Sequence, residues 1–467
     1  MIRLGALYLL VLAIAVTSIR HWFVALCGLV LLAVFTQHPS MPGNMLGIQG
    51  LNPWNILLAL ITLSWWVNRK GKDTHVRFSR SAALLSGAFV GLIVVTGIVA
   101  AMDVESFRGD YAGRLTSSNV IVNTIINPLK YLWVGFLFFE GARDRAAARL
   151  AVFTAVGSGI LYALMLFKSM KLAVFTMGFD DARRLTDKLV GLFANDLAEL
   201  FAFVLWGGAL LIVLWERLPA RMIWAAILAA VLPPFVALKS RAGFAAFCAV
   251  GLVLGALRWR WFLLAVPLTA AAAIVVAPGI RERALMGVDV AGSEHSWDEI
   301  SAGRLTNIWP PAFEQFTKSP LYGYGRYAIL RTDCFDEILS REKLVPSHPH
   351  SSYLEVLIDA GIIGLASCLA CAVGMFVAGV RLLRTADDRF VNVLGGLAIG
   401  ALVAELTAGL TGSSFFPSQS SLPYLSVWGV ALRCYMAMPA REFARNPRAL
   451  RQSRRWPSPL REVLTRP

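Results

Sequence analysis

The 467 residues are 57% hydrophobic and only 16% charged, with a formal net charge of +15 and a mean hydropathy of +0.63. This balance excludes an ordinary water-soluble globular domain, in which charged residues make up about a quarter of the chain. It also argues against a nucleic-acid partner: the Lys and Arg residues fall in short stretches between apolar runs, where they report topology.

Runs suited to crossing a bilayer are predicted at 4–19, 22–37, 54–67, 82–101, 119–139, 147–167, 189–215, 221–238, 242–257, 261–277, 352–382, 390–411 and 423–438. The expected fold class is therefore all-α, a polytopic integral membrane protein with roughly 12–13 transmembrane helices and one long, partly helical loop. The first run is followed by no small-residue cleavage site and reads as an anchor rather than a cleaved leader. A tilted hairpin is the alternative for the first two. The chain divides into an N-terminal bundle (1–188), central spans (189–277), a long loop (278–350), C-terminal spans (351–438) and a basic tail (439–467).

Stretches 68–80, 140–149, 258–260 and 381–389 and the tail carry the clustered Lys and Arg. All fall on one side of this span list, which the positive-inside rule makes the cytoplasm. The tail has eight arginines against two glutamates and no apolar period, so it is expected to lie near anionic lipid headgroups. The loop emerges on the opposite side, with ten acidic residues against eight Lys and Arg. Cys27, Cys248, Cys368, Cys371 and Cys434 lie in predicted spans and Cys334 alone in the loop, which excludes a disulfide framework there. The Cys368/Cys371 pair reads as small apolar helix residues.

Four groups of residues stand out. Lys239 and Arg241 lie between two apolar segments, on the side expected to be poor in positive charge. Charge at membrane depth tends to face a cavity, a partner or a substrate, the alternative being snorkelling to the interface. Asn195 and Glu199 are spaced i, i+4 on one helix face, suited either to pairing between spans or to binding an acceptor. In the loop, a Gly-Arg step, an amphipathic stretch, a Pro and a Gly-Tyr-Gly turn follow one another, with Arg304, Arg326 and Arg331 among them. A loop arginine taken alone is ordinarily a solvated surface charge.

The fourth group is "SHPHSSYLEVLIDAGIIGL", residues 347–365. Ser352 and Glu355 have the spacing of a capping box, which predicts a helix start at Ser352, and Pro349 biases His348 away from helical geometry. His350 then sits just outside a helix N-terminus, whose free N–H groups accept phosphate oxygens and whose field disfavours imidazolium. A neutral base beside an anion site suits a transferase, although the pattern by itself says only that a helix begins there.

The segment from His350 resembles the signature of the O-antigen ligases and the related O-antigen polymerases and O-oligosaccharyltransferases. That signature is His, then Asn, Ser or Gln, nine residues, Gly, two residues, then Gly, Thr or Tyr; His350, Ser351, Gly361 and Gly364 match it. "KSRAGFAAF" resembles the family's Ser-Arg-Gly helix start, with the Gly displaced one place by Ala242. "GRLTNIWPPAFEQFTKSPLYGYG" resembles its loop helix, and "GLFANDLAE" its Gly-x-Phe-x-Asn segment. The resemblance covers roughly residues 190–365.

It implies inverting, metal-independent glycan transfer with no cofactor, from an undecaprenyl-diphosphate-linked donor to a hydroxyl of a glycan, a lipid A core or a protein. The enzyme would lie in the bacterial inner membrane, facing the periplasm. The matching positions imply His350 as base and Arg241 and Arg304 on the diphosphate. Arg326, Lys239, Asn195 and Glu199 are then candidates for substrate contact. The first reading is ligase-like, and polymerase or protein oligosaccharyltransferase chemistry shares the motif. A transporter or flippase of lipid-linked glycan is the alternative of another class, but no convincing repeat between halves supports it.

Overall fold

The structure is a computed structural model that describes residues 2–36, 41–43, 45, 50–69, 79–169, 181, 184, 186, 190–276, 301, 303–342, 348–385 and 388–438. The basic tail and residues 278–300 and 343–347 of the long loop lie outside the described residues. Among the described residues, each of the thirteen predicted apolar runs contains a helix. They form α1 (Ile2–Arg20), α2 (Trp22–Ala33), α3 (Pro53–Asn68) and α4 (Arg80–Met102), then α5 (Ser117–Gly141), which contains a π turn at Val122–Ile126. There follow α6 (Arg145–Ser169), α7 (Ala194–Leu214), α8 (Leu218–Ala237), α9 (Arg241–Leu257) and α10 (Phe262–Val276). The loop supplies the short helices α11 (Trp309–Lys318) and α12 (Cys334–Glu342), and α13 (Ser352–Thr385), α14 (Arg389–Ala408) and α15 (Leu422–Met436) close the chain. Among the described residues, seven helices are long and apolar enough to cross a membrane.

The starts are set locally. Asn52, Ser79, Thr116, Ser240 and Asp388 each accept a backbone N–H of the first turn, on α3, α4, α5, α9 and α14, satisfying donors the helix itself leaves unpaired. The most buried helices are α7 and α14, at 78% of their apolar windows, against 22% for α4 and 28% for α8. The first pair therefore forms the centre and the second faces outward. Three of the charged stretches predicted to share one side, 140–149, 258–260 and 381–389, meet at one end: Arg145 pairs with Asp388 at 2.8 Å and Arg389 with Glu216 at 2.5 Å. In addition, Arg258 donates to the Leu383 carbonyl at 2.7 Å. We call this the basic end.

At the opposite end α13 departs from a plain span. A straight helix of its 34 residues would be about 51 Å long, well beyond the roughly 30 Å of a hydrocarbon core. The helix breaks at Gly361, with φ 65° and ψ −166°, a conformation open essentially to glycine alone. The break frees backbone groups that the loop takes up. Tyr324 and Gly325 N–H donate to the Ile358 and Asp359 carbonyls at 2.9 and 2.8 Å, and Ile362 and Ile363 N–H donate to the Pro320 and Leu321 carbonyls at 2.8 and 3.4 Å. The Pro-Leu-Tyr-Gly turn is thereby stitched into the helix. A Cβ on Gly361 would lie 2.2 Å from the Leu321 carbonyl.

Candidate active site

The loop forms a small core of its own, in which Ile308, Ala312, Ala328, Ile329, Cys334 and Ile338 bury against Leu354 and Ile358 of α13. Burial pushes the Cys334 thiol up to about 12, so it is an inert packing residue. This core fixes α11 against the start of α13. There Trp309 Nε1 donates to the Pro349 carbonyl at 3.0 Å, which sets the chain just ahead of His350.

His350 adopts φ 53°. Its N–H donates to His348 Nδ1 at 3.1 Å, and the two rings meet edge to face with centroids 4.2 Å apart. That hydrogen bond requires His348 Nδ1 to be unprotonated. Burial lowers the His348 pKa below its ordinary value, with Arg326 and Arg304 lowering it further against the opposing pull of Glu355. His348 thus holds the His350 backbone in place.

The helix does begin at Ser352, but the expected capping box is not formed. Ser351 Oγ accepts the Leu354 N–H at 3.4 Å, while Ser352 Oγ donates to the Gly412 carbonyl at 3.0 Å and accepts the Ser414 N–H at 2.7 Å. Glu355 turns away to a stronger partner. Arg326 Nη1 donates to Glu355 Oε1 and to Asp359 Oδ2, both at 2.6 Å, and the guanidinium lies 3.7 Å above the Phe416 ring. Burial on its own would lower the Arg326 pKa, but the two carboxylates raise it above its usual value. Arg326, Glu355 and Asp359 are each at least nine-tenths buried.

Neither Arg326 nor Arg331 is the solvated loop charge first expected. Arg331 is 7% exposed; it donates to the Tyr324 carbonyl at 2.9 Å and pairs with Asp103 at 2.7 Å. The importance of Asp359 and of Thr96, whose carbonyl accepts the Arg326 N–H, was missed. Glu355 and Asp359 at i, i+4 in an apolar run were the available signal, since acids at membrane depth call for a cation.

Arg304 opens a π turn at Arg304–Ile308, directly after Gly303 at φ 76°, and its charge reaches His348. Lys239, Arg241 and Asn195 form a second group. Ser240 caps α9 and donates from Oγ to Asn195 Oδ1 at 2.9 Å. Gly243 allows this corner to close on α7, since a Cβ there would lie 2.5 Å from the Ala198 Cβ. Lys239 precedes the cap at φ 49° and is buried. Glu199 lies deeper, near Glu405 and Tyr424, one turn from the Phe203 that packs edge to face on Tyr424 at 5.2 Å. Asn195 and Glu199 thus share α7 but serve different neighbourhoods.

Residues 234–369, which include Lys239, Arg241, Arg304, Arg326 and His350, match the family model described as O-Antigen ligase. This stretch of the chain is therefore similar to the O-antigen ligases. Comparison with curated proteins gives no match. The matched region holds both arginine corners, the histidine turn and the stitched break at Gly361, whereas Asn195, Glu199 and Thr96 come from outside it.

Next to this region lies an apolar cavity of about 550 Å³, lined by α4, α5, α13, α14 and α15. It runs from Phe415 and Leu129, near the histidine end, to Ser86, Phe139 and Leu432, toward the basic end. Cys368 and Cys371 line its wall as small helix residues, with Cys371 Sγ directed at the Leu85 carbonyl at 3.3 Å. Phe415 and Phe416 connect its mouth to the Arg326 ion pairs.

Proposed function

We propose that the protein transfers a glycan from a polyprenyl-diphosphate donor, undecaprenyl diphosphate being the carrier, to an acceptor hydroxyl in an O-antigen ligase-like reaction. One observation carries this reading. Among the described residues, those with positive φ other than glycine are Lys239, Tyr327 and His350, and each adjoins a charged element of the site. Such conformations cost about 1–3 kcal/mol each and gather where function over-determines the backbone.

In this reading Arg241 and Arg304 hold the diphosphate, and their planar forks neutralise the charge that develops as it leaves. His350 takes the proton of the acceptor hydroxyl as its oxygen bonds to the anomeric carbon from the face opposite the diphosphate. The bond from that carbon to the diphosphate oxygen breaks and its electron pair leaves with the diphosphate, so the configuration inverts. Arg326 holds the turn in register through Glu355 and Asp359, with Lys239 and Asn195 shaping the Arg241 corner. Glu199, one turn along α7 from Asn195 and facing Glu405 and Tyr424, is the candidate contact for the acceptor. The apolar cavity suits the polyprenyl tail. The basic end meets the cytoplasm by the positive-inside rule, which turns His350 to the periplasm of a bacterial inner membrane. The acceptor is a terminal hydroxyl of a lipid A core-type glycolipid.

The test is purified protein in lipid nanodiscs with labelled lipid-linked donor and separate glycolipid, glycan and protein acceptors. His350→Ala should lower the transfer rate by about 10² to 10⁴ while donor binding persists. Transfer to none of the acceptors by the wild type, or unimpaired transfer by His350→Ala, would overturn the reading. Elongation of the donor glycan or labelling of a protein would move the acceptor to the polymerase or oligosaccharyltransferase class.

A further inference from the structure

We propose that a polar cleft between the end of α4 and the loop is a saccharide subsite, holding the hydroxyl-bearing rings of one glycan substrate. The inference rests on the glycan-transfer reading and adds where the sugar chain lies. The cleft has a volume of about 690 Å³, within the range of small-molecule sites. Its walls include Asp103, Arg108, Gln315, Tyr324, Arg331 and Thr332.

Gln315 is the deciding residue. It is 6% exposed and lines the cleft, and its amide opens onto that cleft rather than being sealed in the protein interior. An amide carries two donors and a two-lone-pair acceptor. A ligand that both donates and accepts completes it, and a sugar hydroxyl does both.

The charge on the walls narrows the class further. Arg331 is paired with Asp103 at 2.7 Å and Arg108 with Asp333 at 2.6 Å, so two cations face two carboxylates. A phosphate placed here would meet both acids, and an apolar group would desolvate all four charges. A neutral polyol can hydrogen-bond to each. The cleft is also mechanically part of the site: Arg331 donates to the Tyr324 and Arg326 carbonyls, and Gln315 lies on α11, whose first residue Trp309 bonds to the Pro349 carbonyl next to His350. Asp103 and Arg108 lie outside the matched residues 234–369, so the glycan preference is read partly by the N-terminal spans.

The test uses the full chain in nanodiscs and two lipid-free oligosaccharides from the producing cell. One is released by mild acid from its polyprenyl-linked pool, representing the donor; the other is stripped from surface glycolipid that has not yet received the glycan, representing the acceptor. Calorimetric titration should show one of them binding the wild type, and which one identifies the source. Gln315→Met, close in shape but unable to pair, should weaken that binding about three- to tenfold. The KM of the corresponding substrate should rise by the same factor at unchanged kcat. Thr332→Phe, filling the cleft from its rim, should abolish binding, while sugar-free polyprenyl diphosphate binds both variants as it binds the wild type. If neither oligosaccharide binds, or if Gln315→Met binds as tightly as the wild type, the subsite is refuted. Gln315→Met carries the test should Thr332→Phe not fold. Transfer that is normal in both variants removes the subsite and leaves the transfer reading intact. Saccharide binding that depends on Gln315 in a protein that transfers nothing removes the transfer reading alone.

Discussion

Replacing Gly361 with alanine should undo the junction between the loop and α13. The position has φ 65° and ψ −166°, so any side chain there costs about 1–3 kcal/mol in backbone strain. The new Cβ would also stand 2.2 Å from the Leu321 carbonyl carbon and oxygen, and backbone atoms yield only if the turn moves away. Four hydrogen bonds cross the junction; losing two, at about 1 kcal/mol each, adds about 2 kcal/mol. The sum is about 4 kcal/mol of local stability. Hydrogen exchange read by mass spectrometry on protein in nanodiscs measures it directly. The amides of Tyr324 and Gly325 should lose about 10³-fold in protection, at about 1.4 kcal/mol per decade. Gly87→Ala is the control, because a Cβ there has nothing within 4 Å and α4 gains a better helix former. Protection in Gly361→Ala within tenfold of wild type would refute the argument that this glycine is required for the seam.

Arg326→Met should destabilise the loop by about 3–5 kcal/mol, because Glu355 and Asp359 are left buried without their cation. Adding Glu355→Gln and Asp359→Asn should recover much of the loss in denaturant titrations, and a lack of recovery would show that the Phe416 stack matters more than the charges. For His348, burial sets the folded pKa below the unfolded value of about 6.5. Below about pH 6.5 the unfolded chain binds a proton that the folded site refuses. Stability therefore falls with pH across the window down to the folded pKa. The His350 turn should loosen only below that window, as the folded His348 takes its proton and Nδ1 ceases to accept. His348→Gln should flatten that slope in unfolding experiments between pH 5 and 7, and an unchanged slope would remove His348 from the account.

The apolar runs were legible because thirteen stretches of hydropathy need no tertiary context to be helices, and Lys/Arg clustering correctly grouped the segments that meet at the basic end. The histidine turn was legible too, since Pro349 and the serines after it mark a helix start whatever follows. The error there was instructive. Glu355 has the spacing of a cap partner, but a buried guanidinium binds a carboxylate more strongly than a single backbone N–H does, and Ser351 takes over the cap. The break at Gly361 could not be read from hydropathy, which scores 352–382 as one continuous run. Arg326 and Arg331 were hidden for a similar reason. A loop arginine looks solvated until the carboxylates that bury it, from α13 and from the end of α4, are brought to it by the fold.

The seam at Gly361 uses four hydrogen-bonding groups that a continuous helix would have kept to itself, and it returns each of them to a partner in the loop. The interruption is thus almost neutral in hydrogen bonds while it locks two distant parts of the chain together. A turn held by four backbone bonds on one side is poorly suited to act as a moving flap, so on the glycan-transfer proposal residues 319–327 are expected to serve as a fixed rim past which substrates enter.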